Sequence, residues 1–273
     1  MNGTSDKVIF ITGAASGIGA ATARRAGELG HRVVLADINL PGAKALADQI
    51  GSRALALQLD VCSAEQWGAA LDATWQRFGR LDVLVNNAGI VHTGYARDVS
   101  LEQHRQTIEV NLLGPLTGMK LALPRLQAQG SGHLLTVCSM TAFLPMPGMA
   151  SYAGTKHALR AFHHGLALEE RDGPLHFTII HPPATETAML EQEAHDDAAI
   201  LAFTTKSVAP EVVAAAIIKA IVERPVEVVK PTLFGNLLRL FGAIPGVMRS
   251  SIDGAEAKGR KQLATRRRNS RVG

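Results

Sequence analysis

Val8-Ile9-Phe10-Ile11-Thr12-Gly13-Ala14-Ala15-Ser16-Gly17-Ile18-Gly19 decides the fold of this 273-residue chain. Four large apolar residues read as a buried strand, and glycines spaced G-x-x-x-G-x-G end it and open a helix. Gly13 permits a sharp exit from the strand, and Gly17 and Gly19 remove Cβ atoms that would hold backbone and ligand apart. A helix beginning near Gly17 directs free N–H groups and its positive dipole end at whatever lies above the turn. A dinucleotide pyrophosphate suits that place, so Gly13, Ser16, Gly17, Ile18 and Gly19 are its expected cradle.

Outward from this turn, short β-branched runs alternate with amphipathic stretches. The spacing predicts strands at 7–12, 32–36, 53–59, 81–86, 132–138, 175–181 and 225–229. It predicts helices at 17–30, 41–50, 64–79, 101–129, 151–172 and 210–223. Nearly all-apolar strands alternating with helices imply a parallel sheet covered on both faces. The fold class is therefore α/β, a Rossmann-type doubly wound parallel seven-stranded sheet with helices on both faces. Ser63 and Ser100 each precede a helix and are followed three residues later by Gln, the signature of a capping box. Residues 1–230 read as one Rossmann-fold domain, and 231–273 as an apolar, then basic, C-terminal extension whose last dozen residues lack structure.

Asp37 ends the second strand, eighteen residues after Gly19. An acidic side chain there accepts both hydroxyls of a ribose. It would repel a 2′-phosphate, and neither Ser16 nor Ile38 supplies a cation to offset that. The expected cofactor is NAD(H) rather than NADP(H); a plain turn-starting role for Asp37 is the alternative.

Tyr152 and Lys156 stand four apart on one predicted helix face, with Ser139 thirteen residues before the tyrosine. A free phenol, with a pKa of ~10, is a poor base at neutral pH. An ammonium about 4 Å away at an effective dielectric of ~20 would favour the phenolate by roughly 4 kcal/mol, or up to ~3 pKa units. That would bring Tyr152 near working pH, where an acid/base is most effective. Ser139 then holds the reacting oxygen near the phenol. Pro115, four residues after Asn111, has no N–H to give the Asn111 carbonyl, which leaves that oxygen for water. A simple kink at Gly114-Pro115 is the plainer reading.

In Thr12–Gly19, Asp60-Val61, Asn86-Asn87-Ala88-Gly89, Asn111, Ser139, Tyr152 and Lys156, the chain resembles the short-chain dehydrogenases/reductases in their single-domain form, over about residues 5–230. The resemblance implies that Asp60 and Val61 meet the adenine, and that Asn87, Ala88 and Gly89 line the cofactor path. It assigns Asn111 to a water-linked proton relay ending at Lys156, and gives Lys156 a hold on the ribose. It also places Pro182, Thr185 and Thr187 at the nicotinamide amide. The chain departs from the family where Pro182-Pro183-Ala184 replaces the usual Pro-Gly, which stiffens that loop.

The formal charge of +4 is uneven: from Arg249 onward eight basic residues face two acidic ones, a net of +6, so the rest carries −2. The basic excess belongs to the tail, and no nucleic-acid partner is expected for the body. Cys62 and Cys138 have no metal-ligand spacing, no metal is expected, and reduced cytoplasm suits them. Val8–Ile11 is too short for a signal-peptide core. Phe143, Leu144, Pro145, Met146, Pro147 and Met149 lie between Ser139 and Tyr152, so a hydrophobic alcohol or ketone of steroid, retinoid or lipid-like character is expected. Residues 188–207, with Glu191, Glu193, Asp196 and Asp197 among apolar neighbours, read as a lid.

Gly242 and Gly246 argue against a membrane span in the extension. Its apolar-then-basic order fits either peripheral contact with an anionic membrane or packing on the protein. By analogy with relatives, the helices at 101–129 and around Tyr152 pair subunits into a homodimer or homotetramer. Two other readings are a non-catalytic NAD-binding regulatory protein, which would not need Ser139, Tyr152 and Lys156 together, and a sugar epimerase or dehydratase, which usually carries a longer C-terminal domain.

Overall fold

In a computed structural model describing residues 6–229, 232–242 and 244–269, seven strands lie side by side and all run parallel. The expected domain boundary at 230–231 and Arg271 of the basic tail lie outside the described residues. The strands are β1 (Val8–Thr12), β2 (Arg32–Asp37), β3 (Ala54–Gln58), β4 (Val83–Asn86), β5 (Gly132–Val137), β6 (Leu175–His181) and β7 (Glu227–Val229). Their order is β3-β2-β1-β4-β5-β6-β7, so it reverses between β1 and β4. In register, Ile9 faces Val33 on one side and Val83 on the other. Such a switch point opens a crevice at the carboxyl ends of the strands.

The helices are α1 (Gly17–Glu28), α2 (Leu40–Ile50), α3 (Ala64–Phe78), α4 (Leu101–Ile108), α5 (Gly114–Gln129), α6 (Ala150–Glu169), α7 (Ala188–Ala194), α8 (Pro210–Glu223), α9 (Thr232–Gly242) and α10 (Pro245–Asn269). Side chains alternate across each strand and split the core in two. Ile9, Ile11, Val33 and Leu35 pack with residues of α1, α2 and α8. Val8, Phe10, Val34 and Leu84 pack with residues of α3, α5 and α6, where Trp67 stacks on Phe10 at 5.7 Å.

Local structure departs from expectation at three places. The Ser100 box is complete, but at Ser63 only the hydroxyl caps, because Gln66 accepts instead from the Asp60 N–H at 2.8 Å. The single helix expected over 101–129 is broken by a π-helical turn at Glu109–Leu113, in which Gly114 N–H reaches back to Glu109 O. Pro115 explains the break: it cannot donate four residues back, so the ladder widens just before it. Of the last dozen residues, expected to lack structure, those through Asn269 are helical, because α10 has a surface to bury. Leu263 packs with Leu190, Ile200, Leu201 and Phe203, joined by Ile252 and Ala255.

Candidate active site

The glycine turn lies at the switch point. Gly13 and Gly17 take φ of +66° and +52°, which L side chains resist. Asn87 ties this turn to the end of β4: its Nδ2 donates to Thr12 O at 2.9 Å and Gly13 O at 3.2 Å. The backbone N–H groups of Asn87 and Ala88 donate to Thr12 Oγ1. Above the turn, Ser16 begins α1 without a side-chain cap and no acidic residue occupies the first turn. By contrast Asn39, Ser63 and Ser100 cap α2, α3 and α4. The uncapped N–H groups and the side-chain-free turn fit a pyrophosphate.

Asp37 is half-buried, and its carboxylate accepts from Ala15 N–H and Asn39 N–H, each at 2.8 Å. Both the turn-forming role and an oriented acceptor beside the glycine loop are thus present. Asp60 Oδ1 accepts from Cys62 N–H at 2.9 Å, and the buried Val61 gives its carbonyl to Trp67 Nε1.

Ser139 leaves β5 in extended conformation, and its Oγ accepts from Thr141 N–H at 3.1 Å. That bond leaves the hydroxyl proton free to be given. His181 Nδ1 lies 2.8 Å from the Ser139 carbonyl, and its Nε2 lies 2.8 Å from Glu227. Glu227 also pairs with Arg160 at 2.8 Å and with Arg239 of α9 at 2.6 Å. Burial by itself would raise the Glu227 carboxyl, but hydrogen bonds from His181 and Arg160 hold it far below the usual carboxylate range. The chain behind Ser139 is therefore fixed by a charged cluster that reaches into the C-terminal extension.

Tyr152 and Lys156 come from the first turns of α6, with the ammonium 5.4 Å from the phenol ring centre. Lys156 is buried and its Nζ donates to Val137 O at 3.5 Å. The expected lowering of the phenol by Lys156 is not what the surroundings produce. Burial is the largest influence and pushes Tyr152 above its ordinary value, the Glu193 charge adds to this, and the hydrogen bond with Ser139 works against it. Burial pushes Lys156 down as well. Burial costs both ions hydration, which disfavours the charged form of each.

Asn111 is fully buried in the π-helical turn. Its Oδ1 accepts from Ile90 N–H and its Nδ2 donates to Ile90 O, both at 2.8 Å. A Cβ on Gly89 would stand 3.2 Å from Asn111 Oδ1 and 3.7 Å from Lys156 Nζ, so Gly89 leaves open the space between them.

Gly89, Ser139, Tyr152 and Lys156 open onto a cavity of about 480 Å³. Its polar floor includes Asn87, Gly89, Ser139, Tyr152 and Lys156, with Ile18, Pro182, Thr185 and Thr187 toward the glycine turn. Thr187 Cγ2 would be 3.1 Å from a Cβ on Gly17. Of the apolar stretch before Tyr152, Leu144, Pro145, Met146 and Met149 line the cavity. The segment 188–207, expected to be a lid, holds α7 and a 3₁₀ turn at Asp197–Phe203. Sequence reading missed the wall formed by Leu237, Leu238, Phe241, Met248 and Ile252. Their apolar spacing was visible, but the surface they turn toward was not.

Sheet order and the glycine turn at its switch point define the class, a Rossmann-type α/β protein. Comparison narrows this: the short chain dehydrogenase family profile matches residues 7–198. The chain belongs to that family and is an oxidoreductase acting on CH–OH groups. It is 38% identical over 189 residues to the 2,5-dichloro-2,5-cyclohexadiene-1,4-diol dehydrogenase LinX of Sphingobium indicum, covering 68% of this chain and 76% of that protein. It is 33% identical over 190 residues to a 3-alpha-(or 20-beta)-hydroxysteroid dehydrogenase of Mycobacterium tuberculosis, covering 70% and 73%. A short chain dehydrogenase/reductase from Burkholderia phymatum, solved with NAD, superposes with a TM-score of 0.81 over 93% of this chain and 96% of that one. At 24% identity it bears on the fold alone. The 3-ketoacyl-(acyl-carrier-protein) reductase of Brucella melitensis, solved with NADH, gives 0.73 at 29% identity over 82% and 96%.

Proposed function

We propose that this protein transfers hydride reversibly between a nicotinamide coenzyme and a hydrophobic secondary alcohol/ketone pair. The observation that carries the reading is the convergence of Ser139, Tyr152 and Lys156 on the floor of an apolar cavity beside the glycine turn. The bound coenzyme supplies hydride to the carbonyl carbon or takes it from the carbinol carbon. Tyr152 gives its proton to the carbonyl oxygen in reduction and receives one from the hydroxyl in oxidation. Ser139, anchored by Thr141 N–H, orients that oxygen with its free hydroxyl proton. Lys156 holds the coenzyme ribose and, with Asn111 across the gap left by Gly89, returns protons to the phenol.

Gly13, Ser16, Gly17, Ile18 and Gly19 hold the pyrophosphate in this reading, and Asp60 and Val61 flank the adenine. Asn87, Ala88, Gly89, Pro182, Thr185 and Thr187 border the nicotinamide half. Asp37 accepts from the ribose hydroxyls and selects NAD over NADP, since a 2′-phosphate there would meet its charge. Relatives named for hydroxysteroids and cyclic diols support a ring alcohol as substrate. A panel of hydrophobic secondary alcohols with each coenzyme tests this. A kcat/KM at least about 10-fold higher with NAD is expected, equal to about 1.4 kcal/mol. No turnover of any alcohol with either coenzyme, despite tight NADH binding, would favour the regulatory reading.

Residues 231–273 act as an extension of the domain spanning 1–230, and Leu237, Leu238, Phe241, Met248 and Ile252 within it complete the cavity wall. No described helix is long and apolar enough to cross a membrane. Leu237, Leu240, Ile244 and Val247 are nevertheless exposed around the junction of α9 and the basic α10. That pairing suits peripheral contact of a cytoplasmic enzyme with an anionic membrane. Full-length protein should co-sediment with phosphatidylserine vesicles and lose this with Leu237 and Leu240 changed to Ser; equal sedimentation of both removes the idea. Ile108, Leu113, Phe162 and Leu168, exposed on α4 to α6 and the turn between, support a homodimer or homotetramer, which light scattering would measure.

A further inference from the structure

The segment 188–207 carries four acidic groups and Glu186 stands just before it; of these five, four are accounted for. Glu186 and Glu191 both pair with Arg266 of α10, and Asp197 pairs with Arg267 at 2.8 Å. Asp196 caps the 3₁₀ turn through Ala198 N–H. Glu193 differs. It is only 8% exposed, lies on the inner face of α7 near Leu190, and borders the cavity with Tyr152 and Met189. Its carboxyl has neither hydrogen bond nor ion pair among the described residues, and burial alone pushes it up to about 7. Lys156 and Lys258 border the same cavity, but neither pairs with it.

A buried carboxyl without a partner destabilises the fold, because its lost hydration is not replaced. Helix α7 does not require it: Leu190 and Ala194, one turn away or adjacent, are buried apolar residues that show the site accepts such side chains. A costly group lining the same cavity as the reacting phenol points to a role in recognition rather than in folding.

We infer that Glu193 recognises a second hydroxyl on the substrate, so that the preferred substrate is an apolar secondary alcohol or ketone bearing another hydroxyl that donates to this carboxyl. The inference rests on the function proposed above and sharpens its substrate class. A hydroxyl is favoured over an ammonium because Lys156 already borders the cavity and a cation would give up far more hydration on entering. Tyr152 and Glu193 line one cavity of about 480 Å³, so both hydroxyls lie within a compact molecule.

The test compares cyclohexanol, trans-cyclohexane-1,4-diol and trans-4-aminocyclohexanol, with a 3-hydroxysteroid with and without a second hydroxyl as a larger pair. In the wild type, kcat/KM for a hydroxylated member should exceed that of its partner by about 10-fold or more, carried mainly by KM. Glu193→Leu should collapse that ratio toward one, and Glu193→Gln, which keeps an acceptor, should retain part of it. Both variants should melt higher than the wild type, which also shows that they fold. A ratio unchanged in Glu193→Leu, a fall in its Tm, or a wild-type preference for the amino compound over the diol would overturn the inference and leave the proposed function standing. Absence of wild-type turnover across the whole panel would overturn both.

Discussion

Tyr152→Phe is expected to lower kcat/KM by about 10²–10⁴-fold for any alcohol the enzyme oxidises, with coenzyme affinity retained. The substitution removes one oxygen and keeps the ring, which packs with Val91, Met149 and Ala199 beneath the lid. Lys156 keeps its bond to Val137 O, so the floor of the cavity stays in place. Steady-state kinetics and NADH fluorescence titration separate the two effects; a variant with near-normal kcat would take the acid/base role from Tyr152. The phenol also sets a pH dependence. Because its surroundings hold it above the ordinary value, oxidation should still be climbing near pH ~10, where a free tyrosine would be half ionised. Ser139 is the group that pulls the phenol down, so Ser139→Ala should move that climb to higher pH as well as slow the reaction. A profile displaced to lower pH would contradict the assigned hydrogen bond.

The second large effect belongs to Gly19→Ala, a change of one methyl group. Its Cβ would fall inside the van der Waals shell of Gly13 O and 2.7 Å from Asn87 Nδ2. Neither neighbour can give way, since Asn87 donates to that same carbonyl and to Thr12 O. The glycine turn must open, at a cost of about 1–3 kcal/mol in stability. Coenzyme affinity should fall by about 100-fold or more, equal to roughly 2.7 kcal/mol, because the N–H groups of α1 no longer converge. Gly68→Ala in α3 is the matched control: nothing lies within 4 Å of its Cβ, and helix propensity predicts a gain of up to about 1 kcal/mol. Equal coenzyme affinity in Gly19→Ala and wild type would mean that the turn does not hold the diphosphate.

Most of the site's floor was legible because its members sit at fixed local offsets. The glycine turn, the tyrosine–lysine pair and the asparagine run after β4 each announce themselves within a few residues. The electrostatics were not legible. Spacing predicted a cation beside a phenol, but not the burial that pushes both away from their charged forms, nor the Glu193 charge added from α7. The unpaired state of Glu193 was equally hidden, because Glu191, two residues earlier on the same short helix, turns outward to Arg266.

The sequence by itself determined the parallel sheet, its seven strands and the place where a dinucleotide fits, because strand and helix periods and turn glycines are properties of neighbouring residues. Only the tertiary structure decided what the C-terminal extension does. In sequence it fits either a membrane surface or the protein, with its last dozen residues unstructured; in the fold Arg266 and Arg267 find Glu191 and Asp197, and Leu237, Leu238 and Phe241 close the cavity. Those partners lie roughly 40 to 100 residues away along the chain, a separation that pattern cannot bridge and packing can.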